Sequence, residues 1–314
     1  MLKIAVIMDP IEHIKPHKDS SFAMMLEAQR RGHEVYYMTA NNMYCKHSQT
    51  RAVSQRIKVF DRPQDWFSAE APEDHPLSDC DVVLMRKDPP FDMEYIMDTY
   101  MLDQIGSAST HVINAPQALR DANEKFFTEA FPECTPENII SRDVDLLKSA
   151  VNELGEVIIK PMDGMGGQSI FKTSKNDKNL NVILETVTQN GTKTTMIQKF
   201  IPAISAGDKR ILLINGQPVP YALARIPSAT DFRGNLAKGG TGKGLKLSDA
   251  DRKICDLVGP KLKSMGIVFA GIDVIGDYLT EVNVTSPTCI RELDEIFDLN
   301  IAGELFDCIE KDII

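Results

Sequence analysis

The chain has 314 residues, with 35 Lys and Arg against 45 Asp and Glu for a net charge of −10. That length accommodates two or three domains with a sizeable core. The acidic balance argues against a nucleic-acid or anionic-membrane partner. Six scattered cysteines (Cys45, Cys80, Cys134, Cys255, Cys289, Cys308) include no C-x-x-C pair. They fit a reducing, cytoplasmic setting better than a disulfide framework or a zinc site.

The N-terminal apolar run is too short for a signal peptide or a membrane span, and Ile4–Met8 reads as a first buried strand. A helix is expected from Ser20 or Ser21, either residue serving as N-cap, and Gly32 should stop it. Glu34–Met38 supplies the next strand, giving a βαβ unit and a parallel sheet. No G-x-G-x-x-G follows the first strand, so a dinucleotide site is not expected there. Asp81–Met85 reads as another buried strand and runs into Arg86-Lys87-Asp88-Pro89-Pro90. Charges past the carboxyl end of a parallel strand lie where α/β ligand sites form, although two prolines also suit a solvated turn. Val112–Asn114 closes this region, and Arg120–Phe127 predicts a short helix carrying Lys125.

Val157–Phe171 is the most informative run: an apolar strand ends on Lys160, then Gly164, Gly166 and Gly167 follow, and a second strand begins at Ser169. Glycines allow consecutive N–H groups to converge on an anion, and lysine adds a point charge. A P-loop is excluded because its lysine follows the glycines and opens a helix. The alternatives are a phosphate-binding hairpin and a plain turn. Thr195–Pro202 predicts a strand ended by proline, a hinge between lobes. Arg210–Ile214, the Asn215-Gly216 turn and Pro220–Ile226 predict a β-hairpin. Residues 227–244, with Arg233, Lys238, Gly239, Gly240, Gly242, Lys243 and Gly244, read as a basic lid or as a plain surface loop.

Gly271–Asn283 reads as two strands joined at Gly276-Asp277. Glu281 and Asn283 share one face of an otherwise apolar strand, which suits a cation such as Mg²⁺ that takes such oxygen donors; the alternative is an exposed hairpin with ordinary surface acids. Asp273 joins them only if it pairs with Glu281, and a three-residue connection, Gly276 to Tyr278, is expected to give that pairing. A two-residue turn pairs it with Thr280 and sends it to the other face. The lysine-glycine loop, basic lid and carboxylate strand together describe an ATP site. No kinase, G-x-S-x-G or H-E-x-x-H signature is present.

Ser20-Ser21-Phe22-Ala23-Met24, Leu84 to Asp92, Lys160-Pro161 to Gly167, Gly207-Asp208-Lys209-Arg210, Leu223 to Pro227 and Leu279 to Glu292 match one pattern. The chain resembles the bacterial glutathione synthetase family of the ATP-grasp superfamily. The resemblance implies an α/β ATP-grasp fold, α+β in its C-terminal lobes. A Rossmann-like domain would span 1–122, a small lobe 123–201, and a large lobe 202–314 with the lid 227–244. It implies that ATP phosphorylates the carboxylate of γ-glutamylcysteine and that glycine attacks the acyl phosphate. By resemblance, Lys125 and Lys160 contact phosphates, with Gly164, Gly166 and Gly167 in the flap. Gln198, Lys199, Phe200, Ile201 and Asp208 hold adenine and ribose. Asp273, Glu281 and Asn283 carry Mg²⁺, or Mn²⁺ in its place. Arg210, Ser286, Thr288 and Glu292 hold γ-glutamylcysteine, with Arg86 and Asn283 as further substrate contacts. Arg210, Arg225 and Arg233 are the catalytic cations. The family's lid often carries arginine where this chain has Thr241, leaving Lys238 and Lys243 as substitutes. A homotetramer is implied as well. Two rivals are a glutamate- or D-alanine-type ATP-grasp ligase and a nucleotide-binding regulator without ligase activity.

Overall fold

The computed structural model describes residues 1–105, 109–228, 231, 233–234 and 241–314. Eight strands form the N-terminal sheet: β1 Lys3–Ile7, β2 Glu34–Met38, β3 Met43–Lys46, β4 Gln49–Val59, β5 Phe67–Ala69, β6 Glu73–Pro76, β7 Val82–Met85 and β8 His111–Ile113. Its path is β3-β4-β2-β1-β7-β8, and β2, β1, β7 and β8 run parallel. β1 thus lies between β2 and β7, and the strand order reverses direction beside it. The crevice at the carboxyl ends of β1 and β7 is the kind of position where doubly wound sheets receive ligands.

Helix α1, Ser20–Arg30, covers one face of this sheet. Its N-cap is Asp19, which accepts from Phe22 N–H at 2.7 Å, rather than Ser20 or Ser21. A carboxylate caps as well as a hydroxyl, and this cap frees both serines for contacts elsewhere. Ser20 Oγ accepts from Ile290 N–H, and Ser21 Oγ from Arg86 Nε. Helices α2, Met93–Asp103, and α3, Pro116–Asp121, follow. The helix expected over Arg120–Phe127 is broken. Asn123 Oδ1 accepts from the N–H groups of Lys125 and Phe126, and a 3₁₀ turn runs over Phe126–Ala130. Such side-chain bonds compete with helix propagation, and here they turn Lys125 inward, 3% exposed.

A second, antiparallel sheet has the order β11-β10-β12-β9, from β9 Asn138–Ser141, β10 Val157–Pro161, β11 Phe171–Thr173 and β12 Thr195–Lys199. Helices α4, Val144–Leu154, and α5, Leu180–Val187, pack on it around Leu147, Val151, Ile159, Leu184 and Ile197. The β10–β11 hairpin is antiparallel as expected, with its second strand starting at Phe171 instead of Ser169.

The third sheet is also antiparallel, β15-β14-β13-β16-β17, from β13 Asp208–Ile214, β14 Gln217–Ile226, β15 Thr241–Lys246, β16 Phe269–Ile275 and β17 Tyr278–Asn283. Helix α6, Asp249–Ser264, lies on one side, and α7, Ile290–Phe297, with α8, Ile301–Cys308, on the other. The last four residues of the predicted lid, Thr241 to Gly244, belong to β15, with Thr241 opposite Ile226. Any Cβ on Gly244 would meet the Phe297 ring at 2.5 Å, so this strand packs under α7 only with glycine there. Lys238, Gly239 and Gly240 lie outside the described residues. Asn114, just past β8, staples the first sheet to the third: its amide donates to Phe269 O and Val284 O and accepts from Val268 and Phe269 N–H. A buried amide so fully bonded fixes the two sheets against each other.

Candidate active site

The β16–β17 hairpin meets the sequence expectation by an unexpected route. Its turn is the two-residue one, with Ile275 opposite Tyr278 and Val274 opposite Leu279. A β-bulge then shifts the register so that Asp273 pairs with Glu281. The extra residue, Thr280, donates its hydroxyl to Asp273 O at 3.1 Å, and its carbonyl accepts from Lys160 Nζ at 3.2 Å. Bulges re-aim side chains in this way beside functional sites.

Asp273 and Glu281 line one cavity with Lys125, Lys160, the glycine loop 164–167, the strand end Gln198–Ile201, Asp208 and Arg233. Lys125 Nζ donates to Gly164 O at 2.6 Å and stands 3.7 Å from Glu281 Oε1. Lys160 Nζ lies 4.0 Å from the same oxygen and donates to Gln198 Oε1 at 3.3 Å. Burial pushes the Lys160 ammonium down to about 8, although Glu281 draws it back up. Gly166 and Gly167 take φ of +61° and +75°, a left-handed backbone that glycine adopts without strain. Ile158, Ile170, Phe200, Ile201, Ile204 and Ile275 give this cavity an apolar end suited to a flat base. Two buried polar atoms there have no partner among the described residues: Gln198 Nε2 and Asp208 Oδ1. Orphaned donors and acceptors of this kind are expected where a ligand completes the bonding.

Arg210 and Arg225 join this cavity to a second. Arg210 Nε and Nη2 hold both oxygens of Asp273 at 2.5 and 3.0 Å. Arg225 Nη2 reaches Asp273 Oδ2 at 2.8 Å and also bonds Asp208 Oδ2. Burial disfavours the Asp273 carboxylate, but the two guanidiniums outweigh it and hold that group well below the usual range. Asp208 moves the other way: burial raises it, Arg225 opposes, and the neighbouring Asp273 adds to the rise. The second cavity is lined by Asp88, Pro89, Glu124, Arg210, Arg225, Asn283 and the segment Thr285 to Cys289. It shares Met165 and Gly166 with the first.

Predicted residues therefore divide. Lys125, Lys160, Gly164, Gly166, Gly167, Gln198, Lys199, Phe200, Ile201, Asp208, Asp273, Glu281 and Arg233 line the first cavity. Arg210, Arg225, Asn283, Ser286 and Thr288 line the second. Arg86 stands behind it instead. Its guanidinium is spent on Ser21 Oγ, Thr285 O and Pro287 O, so it positions the 285–287 segment and does not face the cavity. Glu292 is also absent from the lining of the second cavity. It sits on α7, its Oε2 buried without a partner among the described residues, and burial raises its carboxyl against the pull of Lys18 and His17. Arg233 donates to Gly167 O at 2.7 Å and pairs with Asp231, tying residues beyond β14 to the glycine loop. Sequence reasoning left Asp88 and Glu124 without roles. Asp88 follows a parallel strand end and was visible in the Arg86-Lys87-Asp88 run, whereas Glu124 had no signal beyond its place next to Lys125.

Asp273, Glu281 and Asn283 offer two carboxylates and an amide, all hard oxygen donors of the type that Mg²⁺ prefers. Asn283 Nδ2 is turned to Gly271 O at 3.2 Å, which leaves its oxygen for a cation. The donor chemistry fits. The arginines on Asp273 make Glu281 the least committed of the three acids and amides. Among the described residues no group of three or more His, Cys, Asp or Glu could hold a metal by itself.

Residues 2–120 match the family profile "Prokaryotic glutathione synthetase, N-terminal domain", and residues 124–298 match "Prokaryotic glutathione synthetase, ATP-grasp domain". A relative named glutathione synthetase from Pseudomonas syringae pv. tomato is 54% identical over 310 residues, covering 99% of this chain and 97% of its own. One of the same name from Vibrio parahaemolyticus is 51% identical over 311 residues, covering 99% and 98%. Among solved structures, the D-cycloserine synthetase DcsG superposes with a TM-score of 0.66 at 12% identity, over 98% of each chain, a likeness of fold. The chain belongs to the prokaryotic glutathione synthetase family and is an ATP-grasp ligase.

Proposed function

We propose that the first cavity binds ATP and that the second binds γ-glutamylcysteine, with glycine entering where the two meet. The single observation that carries this reading is the Arg210–Asp273–Arg225 bridge, which sets two buried cations between the cavity of the lysines and glycine loop and a polar cavity. The reaction is ATP-dependent ligation of γ-glutamylcysteine to glycine. An oxygen of the cysteinyl carboxylate attacks the γ-phosphorus, and the bond to ADP breaks. The glycine nitrogen then attacks the acyl carbon, and phosphate leaves as glutathione forms.

Carboxylate and triphosphate repel each other, so the site must supply positive charge before chemistry can occur. Lys125 and Lys160 face the β- and γ-phosphates, and Arg225 faces the transferring group. Arg210 orients the carboxylate, and Arg233 joins from the glycine-loop side. Gln198 to Ile201 and Asp208 bind adenosine through the orphaned Gln198 Nε2 and Asp208 Oδ1. Asn283, Ser286 and Thr288 contact the peptide, whereas Arg86 acts by holding their segment. Glu292 is a binder of the peptide only if the substrate reaches its side of α7. Asp273, Glu281 and Asn283 would hold Mg²⁺, which neutralises phosphate charge and polarises the transferred group. Residues 227–240 are proposed as a lid that keeps water from the acyl phosphate. The segments 1–122, 123–201 and 202–314 are proposed as the working domains, assembled into a homotetramer in the cytoplasm. Among the described residues no helix is long and apolar enough to cross a membrane.

Phosphate release with ATP, Mg²⁺ and γ-glutamylcysteine tests this directly. Release should depend on glycine. Release with glutamate or D-alanine instead would favour another ATP-grasp ligase, and nucleotide binding without turnover would favour a regulator.

A further inference from the structure

We infer that Glu124 receives the ammonium group of the incoming amine substrate, glycine; the inference rests on the ligase reading above and assigns a residue within that site. The second cavity has two poles. Arg210 and Arg225 form the cationic one, and the Arg225 Nε is buried with no partner among the described residues. Asp88 and Glu124 form the anionic one. Guanidiniums suit the carboxylates of the substrates. Carboxylate side chains on the opposite wall would repel those same substrates unless a cation lies against each. The two substrates bring two ammonium groups, the α-ammonium of γ-glutamylcysteine and that of glycine.

Position assigns which acid takes which. Glu124 precedes Lys125, whose ammonium touches the glycine loop and stands 3.7 Å from Glu281. The Glu124 carbonyl accepts from Val282 N–H at 2.8 Å, which pins it to β17 between Glu281 and Asn283. Glu124 therefore lies at the phosphate end. Asp88 lies at the other end: its carboxylate accepts from the Ser286 hydroxyl, and its N–H donates to Asp9 Oδ2 at 3.0 Å at the edge of the first sheet. The ammonium of γ-glutamylcysteine is separated from its reacting carboxylate by most of the length of the dipeptide. The attacking amine must instead stand in contact with the acyl carbon, beside the phosphate. Of the two acids in the second cavity, Glu124 is the one placed for it.

The carboxylate is held for that task. Thr285 Oγ1 donates to Glu124 Oε1 at 2.8 Å, and no other hydrogen bond to this carboxylate is found among the described residues. Its second oxygen stays uncommitted. Burial disfavours the charged form, with Lys125 opposing, and an ammonium in contact would relieve that burden.

Two nucleophiles separate this role from a structural one. Hydroxylamine is neutral at neutral pH and needs no anionic partner. Its nitrogen forms the C–N bond of a hydroxamate as phosphate leaves with the C–O electrons and a proton passes to solvent. Saturating ATP, Mg²⁺ and γ-glutamylcysteine are supplied, with glycine or hydroxylamine at fixed concentration. The ratio of hydroxamate to glutathione formed should rise at least tenfold in Glu124→Gln and by an intermediate factor in Glu124→Asp. The KM for glycine should rise more than that for γ-glutamylcysteine. If Glu124 merely anchors Thr285, both products fall together and the ratio stays at the wild-type value, which overturns the assignment. Should Glu124→Gln not fold, the Asp variant decides by the same ratio. Absence of both products with the wild-type protein would remove the ligase reading, and this assignment with it.

Discussion

Arg225 holds two carboxylates at once, Asp208 and Asp273, while 5% exposed. Removing it leaves Asp208 without its cation beside an Asp273 that keeps only Arg210, in a buried site. Breaking such a network by deleting one partner destabilises by about 3–5 kcal/mol, because the remaining charges lose their compensation. Arg225→Ala should therefore lower the urea midpoint and, in the fraction that folds, reduce kcat by roughly a hundredfold to a thousandfold. A variant with near-normal turnover would show that the guanidinium does not face the transferring phosphoryl group. Glu281 differs: it touches two ammonium groups at 3.7 and 4.0 Å and has no arginine. Glu281→Ala should spare stability more than Arg225→Ala does, yet lose turnover on a similar scale, as Mg²⁺ titrations of the rate would register. Most of these residues were legible because charge at an apolar strand end has few structural uses. The partners of Arg86 were not legible, because nothing in a sequence distinguishes a guanidinium aimed at ligand from one bonded to carbonyls 199 and 201 residues away.

At the scale of elements, periodicity located β2 to the residue and the β10–β11 hairpin closely. It missed where local side-chain bonds override it, as at Asn123, and where a bulge changes register, as at Thr280. The bulge matters because turn length alone would have put Asp273 opposite Thr280. One-residue register changes reverse the face of every side chain beyond them. Neighbouring strands add a constraint that the sequence shows only as an unexplained glycine. A Cβ on Gly271 would meet Arg210 Cδ at 2.8 Å and Pro287 Cβ at 3.0 Å. Gly271→Ala is thus expected to displace the Arg210 side chain. It should slow turnover by roughly tenfold to a hundredfold through misplacement of that cation and destabilise by about 1–3 kcal/mol through overpacking. Unchanged kinetics in a folded Gly271→Ala protein would argue that Arg210 has no part in orienting the carboxylate.

Across the whole molecule, the first and third sheets share their cores, whereas the second encloses its own around Leu147, Val157 and Leu184. That separation gives the strands that carry the glycine loop a packing unit of their own. The ends of the chain are tied together by charge. Glu27 on α1 accepts from Arg30 and Arg31, and Arg31 reaches Gly303 O, Asp307 and Glu310. Bonds from Arg30, with Arg31 adding to them and burial opposing, hold the Glu27 carboxyl down to about 2 from 4.5. A depressed carboxyl stabilises the fold above its unfolded value, and that contribution disappears as pH falls from about 4.5 to 2. After allowance for solvent screening of the exposed Arg30, the effect is about 1–2 kcal/mol. Glu27→Gln should flatten the stability profile across that acid window and leave ligase turnover at neutral pH in place; an unaltered profile would show that the network does not bind the two ends of the chain.

The central claim is that the two cavities meet so that a substrate carboxylate takes a phosphoryl group from ATP. Its most direct test is isotopic. γ-Glutamylcysteine labelled with ¹⁸O in the cysteinyl carboxylate is turned over with ATP, Mg²⁺ and glycine, and the released phosphate is analysed by mass spectrometry. Transfer of one labelled oxygen to each phosphate is the predicted result, since the acyl carbon loses that oxygen when glycine attacks. Glutathione formed alongside unlabelled phosphate would contradict the account.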